Sequence, residues 1–192
     1  IEHLDLGGGL GISYDDEVPI DIASYGTLVK HRLDNANDAA GSPIRFIVEP
    51  GRYLVADAGI LLTRIEYLKP AADDASRNFA IVDAAMNDLI RPALYSAYHR
   101  VDAVCEKPGR LCSWDIVGPI CESGDFLATD RQLAIEEGEL LAIASVGAYG
   151  FVQSSNYNSR PRPAEVLVHD EGFDLIRERE SSNDMLSLER IV

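Results

Sequence analysis

The chain has 192 residues, 46% of them hydrophobic, 26% charged and 7% aromatic, a balance that supports a buried core and excludes an intrinsically disordered polymer. Its 32 acidic residues outweigh 17 basic ones for a formal charge of -15, so it offers nucleic acid and anionic membranes no general electrostatic attraction. Cys105, Cys112 and Cys121 lack zinc-site spacing, His3, His31, His99 and His169 form no metal pattern, and no run reaches the roughly 18 apolar residues of a membrane span. The expected location is the cytoplasm, with no metal, nucleic acid or membrane partner.

Residues 2–6 read as a strand running into Gly7-Gly8-Gly9-Leu10-Gly11. Ile20, Ile22, Ala23, Leu28, Val29, Leu33 and Ala36 then recur at helical spacing, predicting a helix up to Gly41. A second strand is expected over residues 44–48, after a loop closed by Gly41 and Pro43, and it ends on Glu49-Pro50-Gly51-Arg52. Strand, helix, strand in this order belongs to a parallel sheet. The chain enters directly on a strand, without an initiator Met or signal-peptide pattern, so a further segment is expected upstream to supply that strand's neighbours.

Beyond residue 58 the texture changes to short strand-like runs divided by turn residues. Strands are expected over residues 60–68, 78–83, 114–117, 140–146, 164–169 and 173–177, separated by Lys69-Pro70, Lys107-Pro108-Gly109 and Glu137-Gly138. Two helical patches are expected, one after Gly147 and one near the end, where Ser182 or Asn183 would cap a turn running to Leu188. Cys105 and Cys112 read as small buried thiols and Trp114 as core, whereas Glu136-Glu137 and Arg177-Glu178-Arg179-Glu180 read as solvated faces. The domains are thus residues 1–58, α/β, and residues 59–192, β-rich.

Glycines at the carboxyl end of a parallel strand let backbone N–H groups approach an anion such as phosphate. A tight turn is the competing reading, since the cluster matches neither the dinucleotide fingerprint nor the P-loop. Glu49 and Arg52 fall at the same end of the sheet, where a guanidinium can grip phosphate or carboxylate bidentately and a carboxylate can face a protonated ring nitrogen. Taken alone, the two also read as a surface ion pair.

Four motifs occur in order: Gly7-Gly8-Gly9, then Glu49-Pro50-Gly51-Arg52, then Val117-Gly118-Pro119-Ile120-Cys121-Glu122-Ser123-Gly124-Asp125, then Gly147-Ala148-Tyr149-Gly150, with Arg91-Pro92-Ala93-Leu94-Tyr95 between the second and third. Together they resemble the pyridoxal phosphate-dependent group IV decarboxylases of the alanine racemase-like barrel fold, and among these the diaminopimelate decarboxylases, over essentially the whole chain. The resemblance implies the last two strands of a cofactor-binding (β/α)8 barrel followed by a β-rich C-terminal domain. It implies that Gly7, Gly8, Gly9, Gly51, Arg52 and Tyr149 hold pyridoxal 5'-phosphate and that Glu49 pairs with its ring nitrogen. Cys121 matches the residue that returns a proton to the carbon losing carbon dioxide, delivered across a homodimer interface. Arg52, Arg91, Tyr95, Glu122 and Tyr149 match positions that grip the substrate, Arg91 answering a distal carboxylate and Glu122 an ammonium.

In one respect the chain departs from that family. A lysine must carry the cofactor, yet Lys30, Lys69 and Lys107 fall in a helix and two turns, away from the glycine cluster. The expected missing partner is therefore an N-terminal barrel portion bearing the lysine, without which the chain is inactive. The implied reaction converts meso-2,6-diaminopimelate to L-lysine and carbon dioxide. The alternatives are a related ornithine, arginine or carboxynorspermidine decarboxylase, or a non-catalytic regulatory homologue.

Overall fold

The computed structural model describes residues 1–40, 43–73 and 76–192. Strand β1 (His3–Asp5) pairs in parallel with β2 (Arg45–Ile47), Leu4 lying opposite Phe46, and helix α1 (Ile22–Ala40) forms the crossover between them. Asp21 starts that helix by accepting from the Ala23 amide at 3.1 Å and from the Ser24 hydroxyl at 2.5 Å. The expected end at Gly41 lies outside the described residues. A short helix, α2 (Gly51–Val55), and a 3-10 turn (Ala56–Ala58) lead into the second half of the molecule.

There six strands form one sheet in the order β5-β8-β3-β4-β6-β7, made of β3 (Leu61–Lys69), β4 (Phe79–Val82), β5 (Val101–Ala103), β6 (Cys112–Val117), β7 (Phe126–Leu133) and β8 (Leu140–Ile143). Only β4 and β6 run parallel; the other pairs are antiparallel. Thr63 and Ile65 on β3, Ala80 and Val82 on β4, and Leu141 and Ile143 on β8 alternate inward with period two and meet Ile116, Leu127 and Trp114 in one core. The sheet curls until its edges meet, Arg131 on β7 donating to the His99 carbonyl just ahead of β5 at 3.0 Å. A hairpin of β9 (Glu165–His169) and β10 (Gly172–Arg177) and helix α4 (Ser182–Leu186) end the chain. Among the described residues no helix is long and apolar enough to cross a membrane.

Several expectations are corrected. Strand β7 is absent from the sequence reading because Asp130, at φ 60, breaks its alternation; the Asp115 carboxylate holds the Asp130 amide at 2.9 Å there. Strand β5 is too short to show a period. Helix α3 (Arg91–Tyr95) was hidden by Pro92, which sits in its first turn, where a missing N–H costs no hydrogen bond. Strand β8 stops at Ile143, before the chain turns at Ser145 with φ 57. The helical patch after Gly147 is a 3-10 turn (Phe151–Gln153), and Ser181, not Ser182 or Asn183, caps α4. Cys105 is exposed and Cys112 half-buried, so neither is the buried thiol expected. The solvated face expected at Glu136 and Glu137 is borne out, both being exposed, with Glu136 pairing with Lys107 at 3.0 Å and Glu137 accepting from the Leu68 amide at 2.9 Å.

Candidate active site

The glycine cluster forms a backbone cradle. Gly7 and Gly9 adopt φ of 67 and 80, a left-handed conformation open to glycine at little cost. A Cβ on Gly8 would collide with the Glu49 carbonyl oxygen. Glu49 donates its amide to the Gly7 carbonyl at 2.8 Å, extending the parallel pairing and bringing the Glu49 backbone to the cradle's edge. The Gly7 amide is taken by the Asp5 carboxylate at 2.7 Å, so Gly7 shapes the turn, and the Gly8 and Gly9 amides have no protein acceptor among the described residues. An anion fits such a cradle.

Arg52 reaches the rest of the site through a backbone-to-backbone contact. Gly147 donates to the Ala56 carbonyl at 3.0 Å and Val146 to the Gly59 carbonyl at 3.0 Å. A Cβ on Gly147 would strike the Val55 carbonyl oxygen, and one on Gly59 would lie 2.5 Å from the Gly147 Cα, so only glycines permit this approach. The Ser145 hydroxyl adds a 2.8 Å bond to Asp57. This staple sets Tyr149, itself at φ 61, over Arg52, with the guanidinium carbon 5.7 Å from the ring centroid.

Arg91 stands on the other side. Its guanidinium carbon is 6.0 Å from the Tyr149 ring and 4.7 Å from the Tyr14 ring, giving a stack of Arg52, Tyr149, Arg91 and Tyr14. Arg91 is only 9% exposed, and no carboxylate among the described residues forms an ion pair with it. Its Nη1 is 2.9 Å from Nε2 of the fully buried His99. Buried charges are ordinarily paired, so a buried guanidinium between aromatic faces is chemically suited to hold an anion.

Cys121 and Glu122 lie on the loop between β6 and β7. Asp125 organises that loop, accepting from the Met86 amide at 2.7 Å and the Ile120 amide at 2.8 Å, and burial pushes its carboxyl above the usual range. Gly118 is required there because a Cβ would meet the Asp125 carboxylate and sit 2.7 Å from the Ala85 Cα. Cys121 and Glu122 are exposed, and the Tyr157 hydroxyl donates to Glu122 at 3.1 Å, the adjacent carboxylate holding that phenol above its usual range.

Of the residues singled out in the sequence, the fold joins Gly7, Gly8, Gly9 and Glu49 in one cradle, and Arg52, Arg91 and Tyr149 in one stack. Gly51 begins α2, its amide 3.0 Å from the Glu49 carbonyl. Among the described residues no hydrogen bond or ring contact ties the exposed Tyr95, Cys121 or Glu122 to that stack. Lys30 pairs with Asp34 at 2.6 Å, Lys69 covers the Phe79 ring, and Lys107 is held by Glu139 at 2.6 Å. Sequence reasoning missed Tyr14, His99 and Tyr157; the eight-residue step from Arg91 to His99 shows its meaning only once Ser96 ends α3 in a left-handed turn at φ 51.

Residues 14–147 match the family model described as pyridoxal-dependent decarboxylase, C-terminal sheet domain. The chain belongs to the pyridoxal-dependent decarboxylases. It is 53% identical to the diaminopimelate decarboxylase of Pseudomonas fluorescens over 193 residues, covering 100% of this chain and 44% of that protein. With the diaminopimelate decarboxylase of Aquifex aeolicus the identity is 50%, over 94% of this chain and 41% of the relative. Among solved structures, a diaminopimelate decarboxylase from M. jannaschii superimposes with a TM-score of 0.92 at 38% identity, covering 100% of this chain and 44% of that one. One from Helicobacter pylori complexed with L-lysine gives 0.86 at 38% identity, over 97% and 44%. The chain thus spans less than half the length of the curated relatives it matches, and within the family it supplies the C-terminal sheet domain.

Proposed function

We propose that the chain is the C-terminal part of a pyridoxal 5'-phosphate-dependent diaminopimelate decarboxylase, converting meso-2,6-diaminopimelate to L-lysine and carbon dioxide. The observation that carries this reading is the buried Arg91 guanidinium without a protein carboxylate among the described residues. In the reaction one carboxylate leaves as carbon dioxide and a proton replaces it, while the other end keeps its carboxylate and ammonium. A receptor for that far carboxylate suits this substrate. It would repel the purely cationic tails of ornithine, arginine or a carboxylated polyamine. The retained Cys121-Glu122 and Glu49 to Arg52 sets weigh against a regulatory homologue.

The cradle suits the cofactor: its left-handed glycines and open Gly8 and Gly9 amides fit a phosphate, with Arg52 and Tyr149 alongside. Pyridoxal phosphate, when bound there, supplies the electron sink for decarboxylation. Glu49 holds a proton on the ring nitrogen, Arg91 and Glu122 orient the far end of the substrate with Tyr95 beside them, and the Cys121 thiol delivers the proton that replaces carbon dioxide. The exposed position of Cys121 and Glu122, outside their own chain's stack, supports delivery to the site of a second subunit in a homodimer.

We further propose that residues 1–58 close a (β/α)8 barrel whose N-terminal portion bears the cofactor lysine, and that residues 59–192 form the β domain. A groove of ≈ 520 Å³, lined by Leu10, Val29, Leu33, Phe46, Val48 and Leu54, is the face that portion covers. The isolated chain is then inactive. The enzyme acts in the cytoplasm, where its three free thiols stay reduced.

Arg91→Ala in the full-length enzyme tests the reading. The kcat/KM for diaminopimelate should fall by the equivalent of about 2 to 5 kcal/mol, with ornithine and arginine not decarboxylated by the parent. Parental kcat/KM in the variant, or turnover of ornithine or arginine by the parent, would sink it.

A further inference from the structure

We infer that His99 is a positioning residue: as a neutral hydrogen-bond acceptor it sets the Arg91 guanidinium for a substrate carboxylate. The inference rests on the reading of Arg91 as receptor of the far carboxylate. Arginine offers only donors and a carbonyl oxygen only accepts. The 2.9 Å contact between Arg91 Nη1 and His99 Nε2 therefore requires an unprotonated Nε2, and the 2.9 Å contact between His99 Nδ1 and the Ala144 carbonyl requires a proton on Nδ1. One form of the ring satisfies both, the neutral Nδ1–H tautomer.

The surroundings leave that ring no freedom. It is fully buried, and the Tyr14 ring meets it edge-on, with centroids 5.3 Å apart and planes at 77°. The groups facing it are Arg91 from α3, Arg131 from β7, Tyr14 from the segment ahead of α1, and the Ala144 carbonyl after β8. No carboxylate among the described residues hydrogen-bonds to it. Burial above all, then the charges of Arg91 and Arg131, hold His99 below the usual imidazole range, with the Ala144 carbonyl opposing them. With Nη1 tied to His99, Nε and Nη2 have no protein acceptor among the described residues. These two N–H groups form the edge that grips a carboxylate bidentately. The same loop that sets Tyr149 over Arg52 thus also fixes, through Ala144 and His99, the direction in which Arg91 points.

Protonation of His99 would remove the acceptor and place an imidazolium against a guanidinium. Arg91 would then lose its orientation, and substrate affinity would drop before the chemistry did. Side-chain length separates this role from simple packing: an Asn amide lies where Nδ1 does and keeps the Ala144 bond, whereas a Gln amide reaches the place of Nε2 and keeps the acceptor for Arg91.

The test uses the full-length enzyme with diaminopimelate. His99→Asn should raise KM about tenfold, the cost of one hydrogen bond to a charged group, with kcat within about threefold of the parent. His99→Gln should bring KM back to within about threefold. As pH falls through the His99 pKa, the parent's KM should rise, and that of His99→Gln should stay flat. A parental KM in His99→Asn, or a fall confined to kcat, overturns the inference. Should His99→Asn fail to fold, the pH profile of His99→Gln decides: flat supports the role of His99, and a rise like the parent's overturns it. Arg91→Ala keeps the two readings apart, because a loss there beside a parental His99→Asn defeats only the positioning role, whereas a parental Arg91→Ala defeats the reading of Arg91 itself.

Discussion

The six-stranded sheet and the β1–α1–β2 unit differ sharply in how they are packed. On the sheet, Ile65, Leu127, Leu141 and Ile143 are fully buried, whereas all of β1 is exposed and Leu28 on α1 is 55% exposed. Yet the sparsely packed unit carries the cradle and Arg52, and the well-packed one carries Arg91 and Tyr149. The two halves of the site are joined through Gly59 and Gly147, where backbone touches backbone. The sheet therefore acts as the rigid reference, and the staple transmits its order to a unit with little core of its own.

The largest difference between the regions should appear in stability. Leu141→Ala, in the centre of the sheet, should cost about 2 to 5 kcal/mol through lost burial and the cavity left behind, and Leu28→Ala less than about 0.5 kcal/mol. Denaturant unfolding of the 192-residue chain by itself measures both; equal losses would mean that the exposed unit is packed as tightly as the sheet.

The staple should be next. Gly147→Ala forces a Cβ into the Val55 carbonyl, and overpacking of this kind costs about 1 to 3 kcal/mol. Because it moves Tyr149 away from Arg52, kcat/KM for diaminopimelate should also fall by more than about tenfold. Loss of stability with parental kinetics would show that the two halves of the site are aligned by something else.

Most of this architecture was legible because its signals are local. Gly7 to Gly9 and Gly147 to Gly150 each mark a turn whose geometry demands glycine, Glu49 to Arg52 marks the passage from β2 to α2, and β3, β4 and β8 announce themselves by period-two burial. What escaped depends on partners far along the chain. Strand β7 is held through the Asp130 bulge by Asp115, and Pro92 is tolerated only because it opens a helix. His99 looked like one unremarkable histidine among four. Its role appears only when the fold brings Arg91, Ala144 and Tyr14 around it.

A smaller effect should separate the C-terminal segment from the sheet by its response to acid. Arg162 grips Glu180 at 2.7 and 2.6 Å, and that guanidinium, the Arg162 amide and Asn156 lower the Glu180 carboxyl from the usual 4.5 to about 2. A depressed carboxyl stabilises the fold above its unfolded value, and the contribution fades as pH falls from about 4.5 towards 2. The parent should therefore be slightly more stable than Glu180→Gln at neutral pH, with the gap closing across that window in thermal melts. A gap unchanged by pH would contradict the assignment.

The central claim is that Arg91 is kept buried and unpaired for a carboxylate at the far end of the substrate. L-Lysine retains that carboxylate, and pentane-1,5-diamine is the same molecule without it. Calorimetric binding of both ligands to the full-length enzyme and to Arg91→Ala tests the claim most directly. The parent should prefer lysine, and the substitution should erase about tenfold or more of that preference while leaving the diamine's affinity unchanged. An Arg91→Ala enzyme that still favours lysine by the parental margin would contradict it.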